Sequence, residues 1–208
     1  ATGIKPIKDD REKANETKHR ALTEQEQAAL MAEMKNDYYY EFVAFMLCTG
    51  MRFGEVAALR WSNVDEVNKV IHVKETITRT QDGGYTVGTP KSKGSERDIP
   101  MSKAAFEILQ SAKDKNIIVN GKAVSFKPTV FFNASGGFAQ IATVNAAITR
   151  AIDRLNAKGY DIERVTSHAM RDTFATRFIE QGGTAQTLKT ILGHSTLSMT
   201  MDLYAHVL

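Results

Sequence analysis

The chain has 208 residues, 42% of them hydrophobic and 8% aromatic, enough to bury one sizeable core and too apolar for wholesale disorder. Its longest uninterrupted apolar run, Phe42 to Cys48, is seven residues, whereas a membrane-spanning helix needs about 18–20. A single cysteine rules out a disulfide framework and a Cys-based zinc cluster, and a net charge of +3, from 27 Lys+Arg against 24 Asp+Glu, is too mild to imply nucleic acid by itself.

Residues 1–20 contain almost nothing apolar and read as a solvated interdomain linker. No positive, apolar, small-residue pattern of a secretory signal opens the chain, and the lone cysteine fits a reducing, intracellular setting. Thr23 followed by Glu26 predicts a capping box and a helix to about Lys35, with Ala28, Leu30, Met31 and Met34 on its buried side. A second helix is predicted from Tyr38 to Thr49, buried nearly all round, with Gly50 as its stop. Arg52 opens a short helix through Leu59.

β-like stretches follow. Residues 69–80 alternate and are rich in β-branched side chains, Asp82-Gly83-Gly84 signals a turn, and Tyr85 to Thr89 continues. After Pro90, Glu96 to Met101 reads as a third strand. The expected arrangement is one small antiparallel sheet of three strands inserted among helices. Ser102 caps a helix to about Lys113, and residues 114–140 read as irregular. Helices are then predicted over Thr143–Ala157, His168–Gln181 (capped by Ser167), a short stretch from Thr184 to Leu192, and Leu197 to the C-terminus. The fold class is mainly α with a small β insert, an α+β fold. No internal repeat is present.

Four local patterns offer chemistry. In Thr49-Gly50-Met51-Arg52-Phe53-Gly54-Glu55, Arg52 and Glu55 share a helix face, and a helix start adds N–H donors to the guanidinium. Taken alone, this reads equally as a helical corner with a surface ion pair. His168 and Arg171 align three apart on a first helical turn, a spacing common by chance, and His168 also reads as a buried histidine satisfied by backbone. Gly193-His194 lies in a turn, and Tyr204 follows ten residues after His194, where a tyrosine usually only packs. Lys91-Ser92-Lys93-Gly94 is a basic turn that can place an ammonium at a tip, or simply end a hairpin in solvent. Together the set has two planar forks suited to phosphate oxygens, groups that move or donate protons, and a phenol that can act as nucleophile. No carboxylate cluster or Cys/His spacing suggests a metal, and no glycine-rich nucleotide cradle is present. This is an inventory for metal-free phosphodiester transesterification.

The stretches TGMRFGEVAALRWSNVD, PKSKGSERDIP, SHAMRDTFATRFIEQG and LKTILGHSTLSMTMDLY resemble the catalytic domain of tyrosine recombinases, the phage integrase family, closest in style to integrases of conjugative transposons. The resemblance covers about residues 21–208, with no core-binding domain in this chain. It implies a mostly helical catalytic domain with a three-stranded sheet. Arg52 matches the first family arginine, Arg171 the second, His168 and His194 the two histidines, and Tyr204 the nucleophile. Lys93 fits the hairpin lysine, with Lys91 as the alternative, and Glu55 an acidic position supporting the arginine site. Asp172 stands where many relatives have another histidine, which implies a change of packing or hydrogen bonding. The implied activity is DNA cleavage and rejoining through a 3′-phosphotyrosyl intermediate, for integration and excision of a mobile element, with no cofactor. The implied partners are double-stranded DNA, further recombinase subunits in a synapse and accessory DNA-bending or excision proteins, with no membrane, in the bacterial cytoplasm. Lys and Arg between residues 89 and 122 are candidates for DNA-backbone contacts. Two other readings stand beside this one: a type IB topoisomerase-like nicking-closing enzyme, and a catalytically silent DNA-binding module.

Overall fold

The computed structural model describes residues 20–81, 83–89, 95–114, 117–119, 122–124 and 129–207. Helix α1 (Glu24–Met34) starts as its sequence dictates: the Thr23 hydroxyl accepts from the Glu26 N–H, and the Glu26 carboxylate accepts from the Thr23 N–H. Leu30 and Met34 are buried, but Ala28 is exposed, because α1 meets the core on a narrower stripe than expected. Helix α2 (Tyr40–Thr49) begins two residues later than its apolar content suggested and ends at Gly50, φ 64°. Phe42, Val43, Phe45 and Met46 are all buried, making it the central helix of the core. Helix α3 (Phe53–Ala58) follows at once. At Gly54 it lies so close to the next β region that a Cβ would sit 2.5 Å from Thr76 Oγ1 and 2.8 Å from the Ile77 carbonyl oxygen. This close approach fixes the helix that starts beside Arg52.

The β region departs from the expected single sheet. Strands β1 (Val64–Asp65) and β2 (Val70–Val73) pair antiparallel. The stretch 69–80 breaks at Lys74-Glu75, and β3 (Thr76–Arg79) forms a separate hairpin with β4 (Tyr85–Gly88). Strand β5 (Arg97–Pro100) returns to β2, so the three-stranded sheet runs β1-β2-β5. The break coincides with a contact from elsewhere in the chain: Glu75 accepts from Arg60 Nε at 2.7 Å. The turn before β2 places Lys69 at φ 56°, with its ammonium 3.3 Å from the Phe106 ring centre.

Helix α4 (Lys103–Asp114) is capped by Ser102 Oγ, which accepts from the Ala105 N–H. The following stretch, expected to be irregular, contains strands β6 (Ile117–Val119) and β7 (Lys122–Val124), paired antiparallel. Helix α5 (Ile141–Ala157) carries an inward stripe of Val144, Ala147, Ile148, Ala151, Ile152 and Leu155. Helix α6 (His168–Glu180) starts without the side-chain cap expected of Ser167. Ser167 is buried, and its backbone is already helical (φ −54°, ψ −22°) instead of extended as a capping residue requires, while its N–H donates to Asn145 Oδ1 on α5. Helices α7 (Ala185–Leu192) and α8 (Ser198–Val207) complete the chain. Leu203 and Val207 of α8 pack on a second apolar cluster formed by Ala175, Ile179, Leu188 and Leu192. Among the described residues no helix is long and apolar enough to cross a membrane.

Candidate functional site

The site forms where three turns meet: the α2–α3 corner, the start of α6 and the end of α7. A helix leaves its last carbonyls without intrahelical partners. At the end of α7 three consecutive carbonyls are each taken by a different arginine. Arg97 Nε donates to Ile191 O at 2.5 Å, Arg171 Nη2 to Leu192 O at 2.6 Å, and Arg52 Nη2 to Gly193 O at 3.5 Å. Arg171 Nη1 also donates to Gly50 O at 2.7 Å. Arg171 therefore ties the α2 stop to the α7 stop, and side chains 119 residues apart in sequence, Arg52 and Arg171, share one frame.

Glu55 lies beneath this frame, 2% exposed. Its Oε2 accepts from the Arg52 N–H at 2.8 Å and its Oε1 from Arg52 Nη1 at 3.0 Å. Arg97 grips both oxygens as well, Nη1 to Oε1 at 2.9 Å and Nη2 to Oε2 at 2.8 Å. Burial pushes the Glu55 carboxyl up, but the hydrogen bonds and charge of Arg97, with those of Arg52, more than offset it and hold the group below the usual glutamate range. Arg171 is 4% exposed. Burial first, then the charge of Arg52, pulls its guanidinium down to about 9, which leaves it cationic at neutral pH. Three guanidiniums face one carboxylate, so the site is positive.

His194 follows these carbonyls directly. Its Nδ1 lies 3.0 Å from the hydroxyl of Thr200, a fully buried residue of α8. Burial, then the charges of Arg171, Arg52 and Arg97, push this imidazole down to about 4, so it is neutral near pH 7. His168 sits on the first turn of α6 with half of its side chain exposed, and its Nε2 lies 3.6 Å from Asp172 Oδ1. Asp172, expected to alter packing or hydrogen bonding, thus pairs with the histidine one turn before it. A cleft of about 380 Å³ is lined by Arg52, His168 and Arg171, with Phe53, Asn145 and Ser167 among its walls. Arg52 is 39% exposed there. Such a basic cleft is suited to an anion with several oxygens.

The structure therefore brings together Arg52, Glu55, Arg171 and His194, and places His168 on the same cleft. Tyr204 occupies a backbone position on α8 one turn after Thr200; its side chain lies outside the described part. Lys93 and Lys91 also lie outside the described residues. Among the described residues no group of three or more His, Cys, Asp or Glu side chains is placed to hold a metal ion.

Two contributors escaped the sequence reading, Arg97 and Thr200. Arg97 stood only among the scattered basic residues suggested for DNA contact. Its side chain is 4% exposed and points inward. The signal was present: strand alternation puts Arg97 on the same face as the buried Ile99, and an inward arginine requires buried hydrogen-bond or charge partners.

The family described as the phage integrase family matches residues 20–208. Over 195 residues the chain is 28% identical to the transposase from transposon Tn916 of Enterococcus faecalis, covering 89% of this chain and 47% of that protein. It is 28% identical over 166 residues to the ICEBs1 integrase of Bacillus subtilis, covering 79% of this chain and 43% of that one. The chain thus spans about half the length of the curated relatives it matches. Among solved structures, the Tn1549 transposon integrase in complex with a circular intermediate DNA matches with a TM-score of 0.77 at 26% identity, over 92% of this chain and 63% of that one. The XerA recombinase matches in fold, with a TM-score of 0.65 at 22% identity, over 92% and 60% of the two chains.

Proposed function

The chain belongs to the phage integrase family, and from that premise we propose that residues 21–208 are the catalytic part of a site-specific recombinase that cuts and rejoins DNA strands through a covalent tyrosyl link. The observation that carries this reading is the cleft on which Arg52, Arg171 and His168 converge, with His194 held beside the two arginines. The substrate is double-stranded DNA at a recombination site, and the setting is the bacterial cytoplasm. The biological use is integration and excision of a mobile element, with further copies of the recombinase in the synapse and accessory DNA-bending or excision proteins.

In the proposed reaction the Tyr204 phenol oxygen bonds to the scissile phosphorus while the P–O5′ bond breaks. The 3′ end stays on the enzyme as a phosphotyrosine and the 5′ end leaves as a hydroxyl. An unperturbed phenol has a pKa of about 10, so it needs a proton acceptor at neutral pH, and His168 takes that part. Lys93 gives a proton to the departing 5′-oxygen. Arg52 and Arg171 bind the non-bridging oxygens as charge builds on them. In the tautomer whose Nδ1 accepts from the Thr200 hydroxyl, the neutral His194 donates from Nε2. A 5′-hydroxyl from a second duplex then attacks the phosphotyrosine and releases Tyr204. One phosphodiester is exchanged for another, so the strand exchange consumes no ATP.

The test is a suicide duplex, nicked close to the cleavage point so that the 5′ fragment diffuses away. The chain should be trapped as a covalent protein–DNA adduct, and Tyr204→Phe should abolish it. No adduct with the parent chain, or an adduct that survives Tyr204→Phe, overturns the reading.

A further inference from the structure

Arg97 is a different kind of residue from Arg52 and Arg171. A guanidinium has five N–H donors. In Arg97 four are spent inside the protein: one on Ile191 O, two on the Glu55 carboxylate, and one on Ser95 O at 3.0 Å. With its side chain 4% exposed, it has neither the access nor the donors to grip a substrate oxygen.

Its partners, however, lie on three separate pieces of the site. Ser95 precedes β5, Glu55 is on α3, and Ile191 is in the last turn of α7. Gly193 also rests on it: a Cβ at Gly193 would come 3.0 Å from Arg97 Cδ. By taking both oxygens of Glu55, Arg97 leaves Arg52 only one side-chain bond to that carboxylate, at 3.0 Å. Without Arg97 a buried, uncompensated carboxylate would draw the Arg52 guanidinium down into a two-point pair, the geometry that forks prefer. Arg52 would then turn from the cleft, and the end of α7, just before the Gly193–His194 turn, would lose one of its three arginine bonds.

Resting on the recombinase reading, we propose that Arg97 is a positioning residue: it competes with Arg52 for Glu55 and pins the end of α7, so that Arg52, Arg171 and His194 can meet one phosphate. It touches neither DNA nor the reacting atoms. Its role is to keep a second arginine available to them.

The experiment compares Arg97→Met and Arg97→Lys with the parent chain and Arg52→Met in single-turnover cleavage of the suicide duplex. Two duplexes are used, with either a phosphate or a methylphosphonate at the cleaved position. A methylphosphonate carries no charge for Arg52 to neutralise. Arg97→Met should bind DNA as the parent does and cleave the phosphate about 100-fold more slowly, the loss expected when a preorganised donor is misplaced. On the methylphosphonate its deficit should shrink to about tenfold or less, as should that of Arg52→Met. Arg97→Lys, which keeps the buried charge but can satisfy only part of the contacts, should show the same pattern and serves if Arg97→Met does not fold. Cleavage at the parental rate, or an equal deficit on both duplexes, overturns the proposal. A readout that needs no cleavage accompanies it: inorganic phosphate is titrated into protein with labelled arginine side chains. The Arg52 and Arg171 Nε–H signals should shift, with an affinity about tenfold weaker in the Arg97 variants. Unchanged affinity overturns the proposal even if the parent chain proves not to cleave DNA.

Discussion

Substituting Gly193 by alanine separates the cost of a backbone conformation from the cost of disturbing the site. Gly193 ends α7 at φ 64°, and placing a Cβ in that left-handed region costs about 1–2 kcal/mol. Its Cβ would also stand 3.0 Å from Arg97 Cδ and 3.1 Å from Arg97 Nη1. Arg97 cannot swing aside as a surface side chain would, because four hydrogen bonds anchor it. Losing one charge-assisted bond adds about 1.5–3 kcal/mol, for a total of about 2.5–5 kcal/mol. For a domain of this size each kcal/mol moves the melting midpoint by about 2–4 °C, so Gly193→Ala should melt about 5–20 °C below the parent. Gly182 provides the internal reference. It lies two residues past the end of α6 at φ 80° with nothing within 4 Å of its would-be Cβ, so Gly182→Ala meets the backbone cost alone, about 2–8 °C. The assay is thermal unfolding of all three proteins followed by circular dichroism in one buffer, with suicide-duplex cleavage run in parallel. Gly193→Ala should fall below Gly182→Ala on both measures. Equal midpoints would refute the claim that Arg97 is held rigidly against the α7 terminus.

Three further outcomes follow from the same contacts. Glu55→Gln leaves Arg97 buried without its counter-charge, which typically costs about 3–5 kcal/mol, so the midpoint should drop by about 6–20 °C. Because the folded Glu55 carboxyl titrates below its unfolded value, its contribution is complete above the unfolded pKa and disappears as the pH falls through the folded one; urea melts across acid pH should show a shallower slope in Glu55→Gln than in the parent. His194 should stay neutral until about pH 4 when its ring is followed by NMR. Its depressed value means that the unfolded chain binds the proton first, so stability should decline as the pH falls from about 6.5 towards 4, and His194→Asn should remove that component. Thr200→Val deletes the hydroxyl facing His194 Nδ1, which should cost about 0.5–1.5 kcal/mol in an unfolding experiment and slow adduct formation about tenfold by freeing the imidazole.

Most of the helical framework was legible because its signals are local. The Thr23–Glu26 box, the Gly50 and Gly193 stops and the Ser102 cap all operate within four residues. The same holds for the pairing of Arg52 with Glu55, which a helix brings together at a spacing of three. What stayed hidden was set by contacts across the chain. The break at Lys74-Glu75 coincides with the contact from Arg60, and β1 is a two-residue strand too short to show alternation. Ser167 looked like a cap, yet its backbone is itself helical and its N–H is tied to Asn145, 22 residues away. The inward turn of Arg97 depends on Glu55, 42 residues earlier, and on Ile191, 94 residues later. No window along the sequence contains those pairs.

The electrostatics explain why the arginines need so much internal bonding. Three guanidiniums gathered round one carboxylate repel one another, so burial first, and then the charges of Arg52 and Arg97, lower the Arg171 guanidinium. A helix C-terminus has a partial negative charge on its free carbonyls, and α7 spends that charge on all three cations at successive residues, Ile191, Leu192 and Gly193. The carbonyls are neutral dipoles: they orient and partly stabilise the cations without cancelling their charge, as further carboxylates would. The cleft therefore stays positive while its donors are fixed before any ligand arrives. Donors that need not reorganise stabilise a transition state most effectively, so the unusual crowding at the end of α7 is what allows a positive, preorganised site to exist inside a marginally stable fold.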